Sequence, residues 1–309
     1  MSEGAKTAIY AALAGNFLVA TTKFIASGLT GSSAMLSEGI HSLVDTGNQV
    51  LLLFGLHQAK KPADKNYPFG HGKEIYFWSF VVAILIFAVG AGISVYEGIR
   101  HLIRPEPLER AFINYIVLTL AMLFEGFALA TAAKEFRKVK GRFSYFEAVR
   151  RGKNPSLFVV LFEDTAAMLG LAVAFLAVLL SDLTGNLLYD GIGSIIIGCI
   201  LAATAAWLAY ETKSLLIGEA AAPEVVAGIR KLASAPEQIE HVNEVLTLHM
   251  GPDFLLVILS VKFHDELPAS AVEDTIAALD AAIKQLYPTV KRVFIEAEER
   301  QRSELEKPR

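Results

Sequence analysis

The fold is decided by residues 33–57, SAMLSEGIHSLVDTGNQVLLLFGLH, which are mostly apolar and numerous enough to cross a lipid bilayer. Glu38, His41, Asp45 and Asn48 recur there at intervals of three or four residues, so they share one face of a helix. We call these four residues the polar stripe. Because an Asp at the centre of a membrane helix costs about 2.5–3.5 kcal/mol, the stripe needs a ligand or polar partners.

The residue types on the stripe suggest which ligand that is. An imidazole and a carboxylate one helical turn apart can offer one nitrogen and one oxygen ligand to a divalent cation. The alternative is a polar seam that hydrogen bonds to neighbouring helices.

The composition of the chain indicates an integral membrane protein. Of its 309 residues, 53% are hydrophobic and only 19% are charged. The net charge of −4 excludes an overall basic surface for nucleic acid. A single cysteine, Cys199, excludes an intrachain disulfide and a thiolate cluster. Residues 7–27 are interpreted as a retained first span and not as a signal peptide, because Lys23 interrupts the apolar segment and no A-x-A cleavage site follows.

Hydrophobic runs predict six membrane-spanning helices. Lys and Arg concentrate in two connections, 58–74 and 134–156, and the positive-inside rule then places these loops and both termini in the cytoplasm. A bacterial inner membrane is the simplest host for this topology. The predicted spans are 7–27, 33–57, 75–99, 111–133, 157–180 and 187–210.

From about residue 218 the pattern changes to that of a small polar domain. Amphipathic helices and strands alternate in the order αββαβ, which predicts a ferredoxin-like α+β layer. We therefore divide the chain into a six-helix membrane domain, 1–217, and a cytoplasmic C-terminal domain, 218–309. The predicted elements are 223–235, 241–249, 254–263, 269–287 and 290–296, and the tail 298–309 is strongly charged.

Several motifs resemble those of the cation diffusion facilitator family. HSLVD at 41–45 is similar to the metal motif of its second span, and PADKNYPFGHGKE at 62–74 to its loop after that span. YDGIGSIIIG at 189–198 is similar to the start of its sixth span. HSLVDTGNQ and LFEDTAAMLG most resemble the branch around zinc transporter 9 and its bacterial relatives, and this resemblance leaves a mitochondrial membrane as the alternative host.

The resemblance implies a homodimer, joined through the C-terminal and membrane domains, that exports divalent metal in exchange for protons. Its site would lie between spans two and five. Two departures matter. Val160 stands where zinc-moving members carry a span-five His, and Tyr67 replaces the middle ligand of a second site whose other positions match Asp64 and His71.

The preferred metal site consists of His41, Asp45 and Asp164, with a fourth ligand from Asn48, Glu163 or water. Two carboxylates would cancel the charge of a divalent cation. The mixed ligands suit zinc and are also compatible with manganese, iron or cobalt. Glu163 lies about 100° round the helix from Asp164, so we expect it to contribute only if the span turns or unwinds. Metal requires an unprotonated His41, so protons and metal compete.

Other polar residues leave alternatives open. Glu38 is either a proton relay or a gate paired with a basic group, and Lys23 is expected to pair with one of the buried carboxylates. Glu125 is either a structural hydrogen-bond partner or a proton carrier. Asp64 and His71 form either a second metal site or, by preference, a structural or gating contact.

Two other classes of function compete with metal and proton antiport by alternating access. One is a membrane-anchored metal-binding receptor or chaperone-like protein, for which buried His and Asp residues would have no use. The other is an intramembrane enzyme, against which the chain offers no H-E-x-x-H and no G-x-S-x-G motif. The histidines of the tail are interpreted as surface residues.

Overall fold

The computed structural model describes residues 3–105, 110–151 and 155–299. Residues 152–154 of the predicted basic loop and residues 300–309 of the charged tail therefore lie outside the described residues. The described chain divides into two compact units. One comprises the chain up to Gln58 together with Glu74–Lys213, and the other comprises Ala59–Lys73 together with the chain from Ser214 onward.

Six long helical segments form the first unit, as the hydrophobic runs predicted. All six extend beyond the predicted bounds at one or both ends. The third segment is interrupted by a π-helical stretch, and a short helix, α6, occupies part of the predicted basic loop. The bounds are α1 Glu3–Thr30, α2 Ser33–Ala59, α3 Glu74–Leu85, the π-helix Ile86–Ala91, α4 Gly92–Ile103, α5 Ala111–Lys140, α6 Tyr145–Arg151, α7 Pro155–Thr184 and α8 Leu188–Ile217.

Four of these segments are long and apolar enough to cross a membrane on length and composition alone: Glu74–Ile103, Ala111–Arg137, Phe158–Thr184 and Leu188–Ile217. The α2 helix is 27 residues long and falls short of that apolarity because it carries the polar stripe. The architecture is thus a polytopic helical membrane domain, which confirms the predicted fold class.

Small residues bring the neighbours of α2 close to it. Gly39 lies against the ring of Phe24 on α1, since an added Cβ would come within 3.2 Å of that ring. An added Cβ at Gly55 would come within 2.8 Å of Trp78 on α3. Gly170 on α7 leaves room for the carboxylate of Glu38. Such close approaches let a polar side chain on one membrane helix reach the backbone or side chains of the next.

The second unit contains a three-stranded sheet with two helices packed on one face. Strands β1 and β2 form an antiparallel hairpin, and β3 joins β2 in parallel after the α10 crossover. This confirms the predicted αββαβ order. The bounds are α9 Pro223–Ala233, β1 Ile239–Gly251, β2 Phe254–Phe263, α10 Ala269–Leu286 and β3 Val290–Ala297.

The core of this unit is made by alternate strand residues and the apolar faces of α9 and α10. Val257 and Leu259 from the central strand are fully buried in it, as are Ile229 of α9 and Ile283 of α10. The loop 59–73 packs on the hairpin end, where the backbone of Gly72 lies against Met250 and Gly251. Among the tail histidines, His249 is buried, which corrects its interpretation as a surface residue.

Candidate metal centre

The polar stripe of α2 faces the interior of the helical unit. Glu38, His41 and Asn48 are at most 1% exposed, and the side chain of Asp45 is 15% exposed. Four ionisable or amide side chains are therefore held among packed helices and away from lipid. Such burial is costly unless the groups are paired or bind a cation.

One small cavity, the carboxylate cavity, lies beside the stripe. Its volume is about 10 Å³, which is space for roughly one water molecule or one bare ion. It joins Asp45 of α2 to Asp164 of α7, the two carboxylates that the sequence placed in one site. Val160, at the position of the missing span-five His, also lines it. The full lining consists of Asn16, Ser42, Asp45, Gln49, Glu125, Val160, Glu163 and Asp164.

The two candidate fourth ligands bond to each other. The Asn48 amide donates a hydrogen bond to Glu163 at 2.5 Å, and Glu163 is 5% exposed. Glu163 and Asp164 both line the carboxylate cavity although α7 is a continuous helix. Glu163 therefore reaches the cavity without the turn or unwinding on which its contribution was expected to depend. The long Glu side chain spans the angular offset between the two positions.

His41 lies next to the cavity and does not line it. Its Nε2 is 3.4 Å from the Asp45 carboxylate, and neither ring nitrogen has a hydrogen-bond partner. Within the described ranges, no three His, Cys, Asp or Glu side chains converge closely enough to hold a metal ion. Oδ1 of Asp45 and Oδ1 of Asn48 are likewise buried without partners. Leaving one buried polar atom without a hydrogen bond costs about 1–3 kcal/mol. The unpartnered atoms of the stripe are therefore available to bind a cation.

A buried ion pair closes the stripe toward the start of α2. The Lys23 ammonium on α1 lies 3.1 Å from Glu38 and donates to the Ser42 hydroxyl at 2.7 Å. This confirms that Lys23 pairs with a buried carboxylate. It also matches the alternative in which Glu38 is held by a basic group.

Asp190 is a buried polar residue whose role the sequence did not indicate, although it lies in the quoted motif at 189–198. Its carboxylate, on α8, accepts hydrogen bonds from the Ser32 hydroxyl at 2.6 Å and from the Ser33 N–H at 2.5 Å. It therefore caps α2 from a different helix. Gln49, which lines the carboxylate cavity, was missed as well.

A larger cavity of about 180 Å³ lies near the α1–α2 turn. Arg100, His101 and Arg104 line it together with Glu97, which pairs with Arg100 at 3.0 Å. Two arginines make this cavity a poor place for a cation. The carboxylate cavity is therefore the better candidate for a metal.

Asp64 and His71 serve the structure of the loop 59–73. One oxygen of Asp64 accepts from the N–H groups of Asn66 and Tyr67 at 2.8 Å, and the other lies 3.0 Å from Nε2 of His71. The hydrogen bond with His71, and then that from the backbone of Tyr67, hold the pKa of Asp64 below its ordinary value. Tyr67 packs on the His71 ring, with 4.4 Å between ring centroids. These contacts favour the structural alternative.

The fold and the buried site define the class: a polytopic integral membrane protein with a polar, carboxylate-lined interior and an appended α+β layer. Residues 9–217 match the model of the cation efflux transmembrane domain. The chain therefore belongs to the cation efflux family, the cation diffusion facilitators, whose members are transporters and not enzymes.

Similar proteins come from animals, plants and bacteria. The chain is 38% identical over 232 residues to the mitochondrial proton-coupled zinc antiporter SLC30A9 of Xenopus laevis and 36% identical to that of Homo sapiens. Each match covers 74% of this chain and 41% of the relative, so the chain spans about two fifths of their length. Cation-efflux pump FieF of Klebsiella pneumoniae is 27% identical over 267 residues, covering 86% of this chain and 83% of the pump.

Proposed function

We propose that this protein exports a divalent metal cation, with zinc as the first candidate and manganese, iron or cobalt as alternatives. One observation carries the proposal: Asp45 of α2 and Asp164 of α7 line the same buried cavity. Two carboxylates from different helices match the charge of a divalent ion and change their separation when those helices move. The relatives include a proton-coupled zinc antiporter and a cation-efflux pump, which supports this proposal.

The proposed ligands are His41, Asp45 and Asp164, completed by Asn48, Glu163 or water. His41 already lies beside Asp45, and both of its ring nitrogens are without hydrogen-bond partners. Metal binding would draw these groups toward Asp164. It would also compete with the hydrogen bond between Asn48 and Glu163.

Proton exchange follows from the chemistry of these ligands. An imidazole or carboxylate must lose its proton to bind metal, so metal arrival releases protons and proton arrival releases metal. Coupled to alternating access of the cavity, this competition drives antiport. Glu125, which lines the cavity, is the proposed proton carrier, and Glu38, which is one turn from His41 and paired with Lys23, is the proposed gate.

The C-terminal domain, 218–309, would join two copies of the chain in a homodimer. Cross-strand register places Leu246, Ile258 and Phe294 in one row on the face of the sheet opposite the helices. Leu246 and Phe294 are about half exposed. An exposed apolar row of this kind is suited to a self-complementary contact. We further propose a bacterial inner membrane as the host, with both termini in the cytoplasm.

The test is zinc uptake into vesicles that contain the purified protein under a fixed pH gradient. Asp45→Ala should lower the uptake rate about a hundredfold or more, since loss of even outer-shell partners of a metal costs 10–100-fold. Asp182→Ala is the matched control, because this carboxylate bonds Tyr115 at the end of α7, away from the cavity. Full uptake by a monodisperse Asp45→Ala protein would rule out the site.

Proton coupling needs a separate measurement. His41→Asn offers an amide oxygen as a ligand and removes the titrating imidazole, so zinc binding should release fewer protons. Calorimetry in two buffers of different ionisation enthalpy counts those protons. If the number of released protons is unchanged, the coupling proton is carried by Asp45, Glu163 or Asp164 and not by His41.

A further inference from the structure

Lys23 is a buried cation placed beside the proposed metal path. Its side chain has 0% exposure, and it is the one buried residue among the Lys and Arg side chains whose burial the structure describes. The ammonium is satisfied by Glu38 at 3.1 Å and by the Ser42 hydroxyl at 2.7 Å. Both partners lie on α2, one on the polar stripe and one on the wall of the carboxylate cavity.

Lys23 bonds only one of the two carboxylate oxygens of Glu38. The second oxygen of Glu38 has no hydrogen-bond partner, although it is buried against Gly170 of α7. Ser42 bridges the ammonium and the cavity. The ammonium therefore lies one hydroxyl group away from the space that Asp45 and Asp164 line.

Carboxylates outnumber the single ammonium of Lys23 around the carboxylate cavity. Four carboxylates line the cavity: Asp45, Glu125, Glu163 and Asp164. The Lys23 ammonium pairs with Glu38, which lies seven residues, or about 10 Å, from Asp45 along α2. In a poorly polarisable interior, a unit charge at that distance acts strongly on a divalent ion.

We propose that Lys23 is a tethered competitor of the transported cation. Its ammonium neutralises the carboxylate-rich interior when metal is absent and opposes metal binding, which keeps the site weak enough to release its cargo. Glu38 holds the ammonium back from the cavity. This inference rests on the proposed function of the same cavity.

The proposal predicts opposite effects from the two members of the ion pair. Lys23→Met removes the competing charge and should tighten binding of Zn²⁺ at least tenfold while slowing zinc uptake. Glu38→Gln frees the ammonium to face the cavity carboxylates and should weaken binding at least tenfold. Lys23→Arg keeps the charge and should bind Zn²⁺ within about threefold of the parent.

The measurement is calorimetric Zn²⁺ affinity of the full-length protein in lipid nanodiscs, with thermal unfolding recorded in parallel. If Lys23→Met does not fold, the double variant Lys23→Met/Glu38→Gln replaces it, since removing both partners of a buried pair is tolerated better than removing one. Adding Lys23→Met to Glu38→Gln should then tighten binding at least tenfold.

A purely structural ion pair gives a different result. Both single variants would lose stability, and the folded fraction of each would bind Zn²⁺ like the parent. That outcome overturns the inference on Lys23 and leaves the proposed function standing. A parent protein that neither binds nor transports Zn²⁺, Mn²⁺, Fe²⁺ or Co²⁺ would instead overturn the proposed function.

Discussion

Removal of the Asp190 carboxylate is the perturbation whose size the structure defines best. Asp190 is fully buried on α8, yet its oxygens serve the first turn of α2. They accept the Ser32 hydroxyl, the Ser33 N–H and, at 3.3 Å, the Ala34 N–H. A carboxylate at this place satisfies N–H groups that the helix cannot bond itself, and it also complements the helix dipole.

The magnitude follows from the number of short hydrogen bonds. A hydrogen bond to a charged group contributes about 1.5–3 kcal/mol net, and Asp190 makes two of 2.6 Å or less. Asp190→Ala breaks both and leaves buried donors unpaired, so we expect a loss of about 3–5 kcal/mol in the free energy of unfolding. Asp190→Asn keeps one acceptor and should lose about 2 kcal/mol. Ser32→Ala removes one donor to Asp190 together with the hydroxyl oxygen that accepts from the Met35 N–H, and it should lose about 1 kcal/mol.

The assay is equilibrium unfolding of the purified protein in bicelles, with all three variants measured under one condition. The graded order Ser32→Ala, Asp190→Asn, Asp190→Ala is the expected result. If Asp190→Ala unfolds within about 1 kcal/mol of the parent, the capping contact is dispensable and the reasoning is wrong.

Three further predictions test the site and its surroundings. Val160→His should raise the ratio of zinc to manganese uptake about tenfold by restoring a nitrogen ligand, and an unchanged ratio in an active variant would mean that position 160 does not face the metal. Gly170→Ala should destabilise the protein by about 1–3 kcal/mol because its Cβ would strike a buried carboxylate, whereas Gly126→Ala, with open space around it, should not destabilise it. The folded-state pKa of Asp64 is lowered from its ordinary value of 3.8. The stability that this carboxylate gives the loop is therefore fully present above pH 3.8 and is lost as the pH falls through the lowered pKa. The protection of the loop's amides from hydrogen exchange, relative to their intrinsic exchange rates, should therefore fall below about pH 4, and it should be lower in Asp64→Ala at any pH.

The helices and the order of the strands were predictable because each rests on a local pattern. Long apolar runs locate the spans, and period-two alternation locates the strands. The spacing of Glu38, His41, Asp45 and Asn48 likewise placed them on one buried face. These properties depend on neighbours within one or two turns, which the sequence displays directly.

The contacts that hold the site together could not be predicted in the same way. Asp190 reaches Ser33 across 157 residues of chain, and Asn48 reaches Glu163 across 115. No local spacing encodes such a pairing. The π-helical stretch Ile86–Ala91 was missed for a related reason, because it lies in a uniformly apolar run with no polar residue to mark a change of period.

Three polar contacts join α2 to three different helices, and a bound cation can take the place of only one of them. Asp190 of α8 holds the first turn of α2, and Lys23 of α1 holds its second and third turns at Glu38 and Ser42. Neither contact is made by a proposed ligand. The third contact, Asn48 with Glu163 of α7, is made by two residues that can themselves bind the cation. A metal entering the carboxylate cavity can therefore substitute for this bond directly, because it offers Glu163 a stronger partner than an amide. We expect α2 and α7 to change their separation first at this contact, while the first turn of α2 stays fixed to α8.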